Sequence, residues 1–285
     1  MKKTTKILLP VDFSEPSANA FRYAVQLADH IGASIEILHI VFPEGESMDY
    51  PILVAKATET RLEVAKEQLK KFVDKGLADI RESLKKELVL SKGFEIGTPI
   101  QSICSFANRN DTNLIILGSR GENRSGIESL IGSVAAGVVG KAQCPVMVIP
   151  ETATFQPIKF ISYATDVKDS DPFEIWRAQQ LLSPFTPDIK IVHINFKKEG
   201  DNKAWEKMKN MKAFFEDRKA GFKFDFYHIP GKDLQKELNE FVETHDTDLL
   251  VMYQAHHSFW DRLFFKSNTK NMALHTRVPL LIQKS

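Results

Sequence analysis

Three glycines and a serine stand where they could hold a phosphate. Gly118 closes the apolar run Leu114-Ile115-Ile116-Leu117, Gly121 follows Ser119-Arg120, and Gly132-Ser133 opens a second run that reaches Lys141. A short continuous apolar stretch closed by glycine reads as a buried strand ending at a turn. Gly118 and Gly121 permit a sharp turn and a close approach of the backbone to a ligand. The run from Ser133 reads as a helix, whose first N–H groups and dipole favour an anion. No GK[ST] follows the glycines, so this is not a Walker A loop. Strand, glycine loop and helix start together make a candidate nucleotide cradle.

The other chemistry-bearing residues are weighed beside it. Asp12 ends the apolar run Ile7–Val11. Its carboxylate could meet a ligand or only serve the start of the next helix, and the glycine pattern favours the ligand. Asp166, its counterpart further on, reads as structural. Arg120 and Arg124 fit phosphate neutralisation and plain surface exposure equally. His39 and His193 occupy matched strand positions and read as packed, hydrogen-bonded imidazoles. His256-His257, with His245 and His275 elsewhere, do not read as a zinc site, because adjacent histidines diverge and no i,i+4 pair or cysteine partner is present. Cys104 and Cys144 read as buried thiols. Glu122 and Glu128 could orient a water, though helix-surface carboxylates are the simpler account. No Ser-His-Asp order, carboxylate pair, metal cluster or Walker lysine can be assembled, so the chain reads as a binder rather than an enzyme of rapid turnover.

These residues need elements to position them. Lys6–Asp12 reads as a strand, followed by a helix capped by Ser14, with Glu15 and Pro16 in its first turn. That helix should bury Ala18, Phe21, Ala24, Val25 and Ala28, and stop at Gly32. Ser34–Phe42 is the next strand. Tyr50 to about Lys86 is helical, with a break or kink at Gly76. Leu88–Leu90 with Phe94 makes a third strand. Thr98 caps a helix that starts at Pro99 and runs through Phe106. Strand Leu114–Leu117, the glycine loop, the helix from Ser133 and a strand Pro145–Ile149 complete the unit. Strands alternating with helices imply an α/β fold, a five-stranded mainly parallel sheet covered on both faces. Ligands in such sheets sit at strand carboxyl ends where the strand order switches.

The pattern then repeats. Ser34–Phe42 aligns with Asp188–Phe196 at an offset of 154, with Ile35/Ile189, Ile37/Ile191, His39/His193, Ile40/Ile194 and Phe42/Phe196 identical. Asp12 meets Asp166 at the same offset. Beyond the long helix the offset falls to about 134, so the first copy carries about 20 extra residues there. Gly97 then meets Gly231, Pro145 meets Pro279, and Leu114–Leu117 meets Leu249–Met252. The chain is therefore expected to hold two tandem domains, 1–150 and 151–285, joined by the polar, proline-flanked linker Pro150–Pro157.

Composition excludes several classes. Basic and acidic residues balance in both parts, 18 against 18 in 1–150 and 20 against 19 in 151–285. There is no basic half to grip nucleic acid and no acidic tail. Two cysteines make no disulfide framework, which fits a reducing cytoplasm. Ile7–Val11 is too short for a signal peptide, and no run approaches the ~18 apolar residues of a membrane span.

The first copy resembles the universal stress protein family. The resemblance rests on Pro10-Val11-Asp12-Phe13-Ser14, on Gly97-Thr98-Pro99, and on Gly118-Ser119-Arg120-Gly121 with Gly132-Ser133. It covers residues 4–150 and, as a weaker copy, 156–283. Nucleotide-binding members carry G-x2-G-x9-G-[ST]; here ten residues, Glu122 to Ile131, stand in place of nine. The resemblance implies tandem flavodoxin-like or Rossmann-like sandwiches that pair along their last strands, here as an internal pseudo-dimer. It further implies a stress-response module that binds ATP or AMP in some members. Carried over by position, Asp12 and Pro10 would meet the adenosine and Val41 would offer backbone groups to the adenine. Gly118, Gly121, Gly132 and Ser133 would hold ribose and phosphates, Leu117, Arg120 and Val134 would be further nucleotide-binding residues, and the Ser133 hydroxyl could reach Mg²⁺. Homodimerisation and an unidentified protein partner stay open.

The second copy departs from the pattern. Tyr253, His256 and Lys266 stand opposite Gly118, Gly121 and Gly132, while Ser267 stands opposite Ser133. Those side chains cannot reproduce a glycine turn, and Tyr253 and Phe259-Trp260 are expected to fill the slot. The segment Phe259–Phe265 reads as a core plug in preference to a partner-binding patch. Two functions remain in view. One is a nucleotide-binding regulatory module with a single live site in the first copy, hydrolysing ATP slowly at most. The other is an interaction protein whose two sites are both vestigial.

Overall fold

A computed structural model describes residues 4–42, 51–119, 132–167, 169, 171–196, 203–217, 222–254 and 277–284. The chain forms two compact units, the first ending at Phe155 and the second beginning at Gln156. The first unit contains β1 (Lys6–Val11), α1 (Glu15–Ile31), β2 (Ser34–Val41), α2 (Pro51–Ile80), β3 (Leu90–Ile96), α3 (Pro99–Arg109), β4 (Leu114–Gly118), α4 (Ser133–Lys141) and β5 (Val146–Ile149). Its strands lie in the order β3-β2-β1-β4-β5, and every pairing is parallel. The chain winds outward from β1 through β2 to β3, then returns to the other side of β1 with β4. That reversal is the topological switch point, and it leaves a crevice at the carboxyl ends of β1 and β4.

Local chemistry explains the elements. Ser14 caps α1, its hydroxyl accepting from the Ser17 N–H, with Pro16 in the first turn. The buried face of α1 includes Ala20, Phe21, Ala24, Val25, Leu27 and Ala28, whereas Ala18 is only half-buried. Gly76 does not break α2. A Cβ there would lie 2.5 Å from two ring carbons of Phe21, so the glycine admits the ring and the helix runs on to Ile80. A short 3-10 turn, Arg81–Ser83, ends this segment before Lys86. β3 begins at Leu90 rather than Leu88, and α3 continues to Arg109, beyond Phe106. Thr98 occupies the cap position of α3 without a side-chain hydrogen bond.

The stretch read as linker is partly docked on its own unit. Asn19 Nδ2 donates to the carbonyls of Pro150 (3.0 Å) and Ala153 (2.8 Å). Ala153 is buried, and the Phe155 ring meets Tyr23 edge-on at 5.2 Å. These contacts carry the first unit five residues past Pro150.

The second unit contains β6 (Phe160–Ala164), α5 (Asp171–Leu182), β7 (Asp188–Asn195), α6 (Lys203–Asp217), β8 (Phe224–Pro230), α7 (Leu234–Thr244), β9 (Leu249–Gln254) and β10 (Leu280–Lys284). Its strand order, β8-β7-β6-β9-β10, matches that of the first unit, again all parallel. The duplication holds register by register. Lys6 pairs with Ser34 as Phe160 does with Asp188, and Val41 with Ile96 as Asn195 does with Pro230. The extra residues of the first copy enlarge α2, which has 30 residues against 15 in α6. No described helix is long and apolar enough to cross a membrane.

Candidate functional site

A cleft of about 270 Å³ opens at the switch point of the first unit. Pro10, Val11 and Asp12 form its β1 wall, Leu117, Gly118 and Ser119 its β4 wall, and Gly132 to Ala135 the start of α4. Ser17, His39, Ile40, Pro99 and Ile103 complete the lining. Proline helps to open it. Pro10 has no N–H for a ladder, and the β1–β4 pairing ends at Leu8↔Ile115. In the second unit Ala164 stands at this position, and the β6–β9 pairing continues to Ala164↔Met252.

The polar groups of the cleft are positioned by short local bonds. Asp12 Oδ1 accepts from the Ser14 hydroxyl (2.6 Å) and from the Ser14 N–H (3.2 Å). The Asp12 N–H donates to Ser17 Oγ at 3.3 Å. Asp12 thus shapes the β1–α1 turn and keeps an exposed carboxylate at the mouth of the cleft. Across from it, Gly132 is the N-cap of α4, and its carbonyl accepts from the Ala136 N–H. The N–H groups of Ser133, Val134 and Ala135 belong to the first turn, where a helix has no acceptor of its own. The Gly132 N–H donates to the Ser119 carbonyl, and the Ser119 N–H donates to the Ile149 carbonyl. The two feet of the glycine loop are therefore tied together. One residue more in a closed loop of about a dozen costs only about 0.1 kcal/mol of closure entropy, so the ten-residue spacing is a small burden on the cradle.

Seven of the expected residues line this one cleft: Pro10, Asp12, Leu117, Gly118, Gly132, Ser133 and Val134. Val41 does not. Its side chain is buried and its carbonyl accepts from the Gly97 N–H at 3.1 Å, so His39 and Ile40 form the cleft edge in its place. Val41 lines a neighbouring depression of about 290 Å³ with Phe42, Arg61 and Val64. Arg120, Gly121, Glu122, Arg124 and Glu128 lie outside the described residues. Gly118 has a reason unlike the one its sequence suggested. A Cβ there would sit 2.8 Å from the Pro16 carbonyl oxygen and 2.9 Å from its carbon. The glycine lets α1 approach β4, and its φ is not in the left-handed region. Sequence reasoning passed over Ser17, Pro99, Ile103 and Ser119. For Ser17, Pro99 and Ser119 a position in the first turn after a cap, or just past a strand end, was the available signal; Ile103, inside α3, carried none.

His39 is structural. Its Nδ1–H donates to the Val11 carbonyl at 2.8 Å, and its ring stacks on Phe13 with centroids 4.3 Å apart. His193 repeats the bond, to the Thr165 carbonyl, also at 2.8 Å.

The second unit builds its switch point differently. The Thr165 hydroxyl donates to Asp171 and accepts from the Val167 N–H at 2.7 Å. α5 begins at Asp171, the counterpart of Ser17, whereas α1 begins two residues earlier in register, at Glu15. Tyr253, opposite Gly118, continues β9, and its register places its side chain on the face covered by α5. Burial raises the Tyr163 phenol well above its usual range, and the Asp171 and Glu174 carboxylates raise it further. Burial also raises the Glu174 carboxyl, against the opposing pull of Arg177. His256, His257, Phe259–Phe265, Lys266, Ser267 and His275 lie outside the described residues.

The fold and cleft define a doubly wound α/β protein with a crevice at its switch point, apolar in its walls and polar at Asp12 and the start of α4. The universal stress protein family model matches residues 3–150, and the chain belongs to that family. It is 29% identical over 147 residues to universal stress protein MJ0531 of Methanocaldococcus jannaschii, covering 50% of this chain and 81% of the relative. With universal stress protein Slr1230 of Synechocystis it shares 26% identity over 96% of this chain and 98% of the relative, in keeping with a tandem arrangement. A universal stress protein structure from Archaeoglobus fulgidus superposes over 99% of both chains with a TM-score of 0.66 at 17% identity, a likeness of fold.

Proposed function

We propose that the first unit binds an adenine nucleotide, ATP or AMP, in the cleft between Asp12 and the start of α4, and that occupancy shifts the conformation or partner affinity of a stress-response module. The observation carrying this reading is the convergence of an exposed carboxylate and a helix N-terminus on opposite walls of one cleft. A carboxylate accepts from ribose hydroxyls or an adenine amine, while backbone N–H groups take phosphate. Apolar walls from Pro10, Val11, Ile40, Ile103 and Leu117 suit a purine. The Ser133 hydroxyl would complete the phosphate site and could bind Mg²⁺. Among the described residues of the cleft no general base is assembled, which supports binding, with slow hydrolysis at most. The second unit, with Tyr253 in place of Gly118 and Tyr163 in place of Leu9, is read as not sharing this mode.

Isothermal titration of the full chain with ATP and AMP, with and without Mg²⁺, tests the proposal. Gly132→Lys is the matched control. The N-cap backbone at φ −63° and ψ 161° is open to any residue type, so the lysine imposes no backbone strain where the cleft is lined by Gly132. Heat in the wild type that Gly132→Lys abolishes is the expected result. No heat in the wild type would leave a pure interaction module as the better reading.

A further inference from the structure

α1 and α5 hold equivalent places in their own units, residue for residue at the offset of 154. Their inner faces agree: Phe21, Ala24 and Ala28 correspond to Ile175, Ala178 and Leu182, all buried. Their outer faces do not. Asn19 and Arg22 of α1 are replaced by Phe173 and Trp176 of α5. The neighbouring helices extend the change. Met208, Met211 and Phe215 are buried along α6 at the spacing of Val73, Gly76 and Ile80 along α2, which sets Phe214 at the place of Asp79. In the first unit Arg22 pairs with Asp79 at 3.4 Å. In the second, the Phe173 ring meets Phe214 edge-on, with centroids 6.2 Å apart. A polar surface has become an aromatic one, and Phe173 stays 61% exposed and Trp176 51%.

Adjacent aromatic side chains left in water mark a surface that something else covers. The first unit shows what such a helix face can hold. Asn19 donates to the carbonyls of Pro150 and Ala153, and Phe155 packs against Tyr23. Residues 150–155, which form neither helix nor strand, therefore lie against α1 with one aromatic side chain set on it. α5 retains the start of this arrangement. Arg177, in the place of Tyr23, donates to the Lys284 carbonyl at 3.3 Å, and Lys284 corresponds to Pro150 at the offset of 134. Where α1 then offers the Asn19 amide, α5 offers the open Phe173 ring.

Area separates the occupants. Large aromatic side chains bury about 150–250 Å² each, so the exposed parts of Phe173 and Trp176 come to roughly 200–250 Å². A stable dimer takes about 800 Å² from each partner. The cluster is the size of a seat for one or two anchor side chains, the part that Phe155 plays on the first unit.

We propose that the α5–α6 face of the second unit docks a non-helical peptide segment of a partner protein, with an aromatic or large aliphatic side chain set against Phe173, Trp176 and Phe214. The surface lies within the second unit and is independent of the nucleotide reading of the first.

A phage library of random dodecapeptides, panned on the immobilised full chain, is the test, with the Phe173→Asn, Trp176→Arg double variant as counter-selection. These substitutions install the first unit's residues on an exposed face, so the thermal midpoint should stay within about 2 °C of wild type. Surviving sequences should share an apolar anchor. As synthetic peptides they should tolerate proline beside that anchor and bind the double variant at least about tenfold more weakly than wild type. Recovery of no peptide that distinguishes the two proteins would overturn the proposal. Binding abolished by the flanking proline would assign the face to a helix and overturn it as well. So would a wild type that dimerises in sedimentation while the double variant stays monomeric, the mark of a second copy on this face. A midpoint lowered by about 5 °C or more would show that the aromatic residues serve internal packing instead.

Discussion

Gly118→Ala separates two explanations of the same glycine. If Gly118 serves only the approach of a ligand, the ligand-free protein should tolerate a methyl group there. The structure says otherwise. The new Cβ would lie 2.8 Å from the Pro16 oxygen, 2.9 Å from its carbon and 3.3 Å from the Ser17 nitrogen. All three are backbone atoms, so relief requires α1 to move away from β4. Forcing one extra carbon into such a contact costs about 1–3 kcal/mol. At about 2–4 °C per kcal/mol, the midpoint of the first unit should fall by roughly 2–12 °C without any ligand. Differential scanning calorimetry of ligand-free wild type and variant measures it. Ser17 also lines the cleft, so titrated nucleotide affinity should weaken in the same variant. An unchanged ligand-free midpoint would refute the packing argument.

Other perturbations follow from the same geometry. Asn19→Ala removes two hydrogen bonds to the carbonyls of Pro150 and Ala153; a loss of about 1–3 kcal/mol is expected, with faster proteolysis between Pro150 and Pro157, and an unchanged cleavage rate would contradict the docking role. Burial holds the folded Glu174 carboxyl above its ordinary value of 4.5, against the pull of Arg177, so its contribution is complete below about 4.5 and lost as pH rises through the raised value. Glu174→Gln should therefore gain stability relative to wild type as pH rises above about 4.5, and a pH-independent difference in urea midpoints would dismiss this. His193→Phe removes a half-buried donor to the Thr165 carbonyl and should lower the urea-derived stability by about 1 kcal/mol; a variant as stable as wild type would show the bond to be dispensable.

Much of the fold was legible because strands and helices carried their own periodicity. The α4 bounds, Ser133–Lys141, follow from an apolar run opened by a glycine cap. The duplication was legible because identical residues at one offset occupy matched register positions. Features that depend on a distant neighbour were not legible. Gly76 reads as a kink until Phe21 is seen lying against it. That Val41 lines a depression beside the cleft is visible only in the folded register. The aromatic face of α5 escaped notice because apolar residues in a helix read as core. Pairing Phe173 and Trp176 with Asn19 and Arg22 at the offset of 154 would have exposed the substitutions.

Phe13 and Val167, at matched positions after β1 and β6, both adopt left-handed backbone, with φ of 65° and 58°. Each is a bulky residue in a conformation that costs about 1–2 kcal/mol. The cost is borne in the copy that has the glycine loop and in the copy that lacks it. A feature shared by both halves predates the duplication, whereas one confined to a single half arose or vanished afterwards. By that measure the kink and the histidine-to-carbonyl bond belong to the ancestral single domain. The difference between cradle and aromatic face marks the divergence of the two halves, so the molecule preserves the order of its own history.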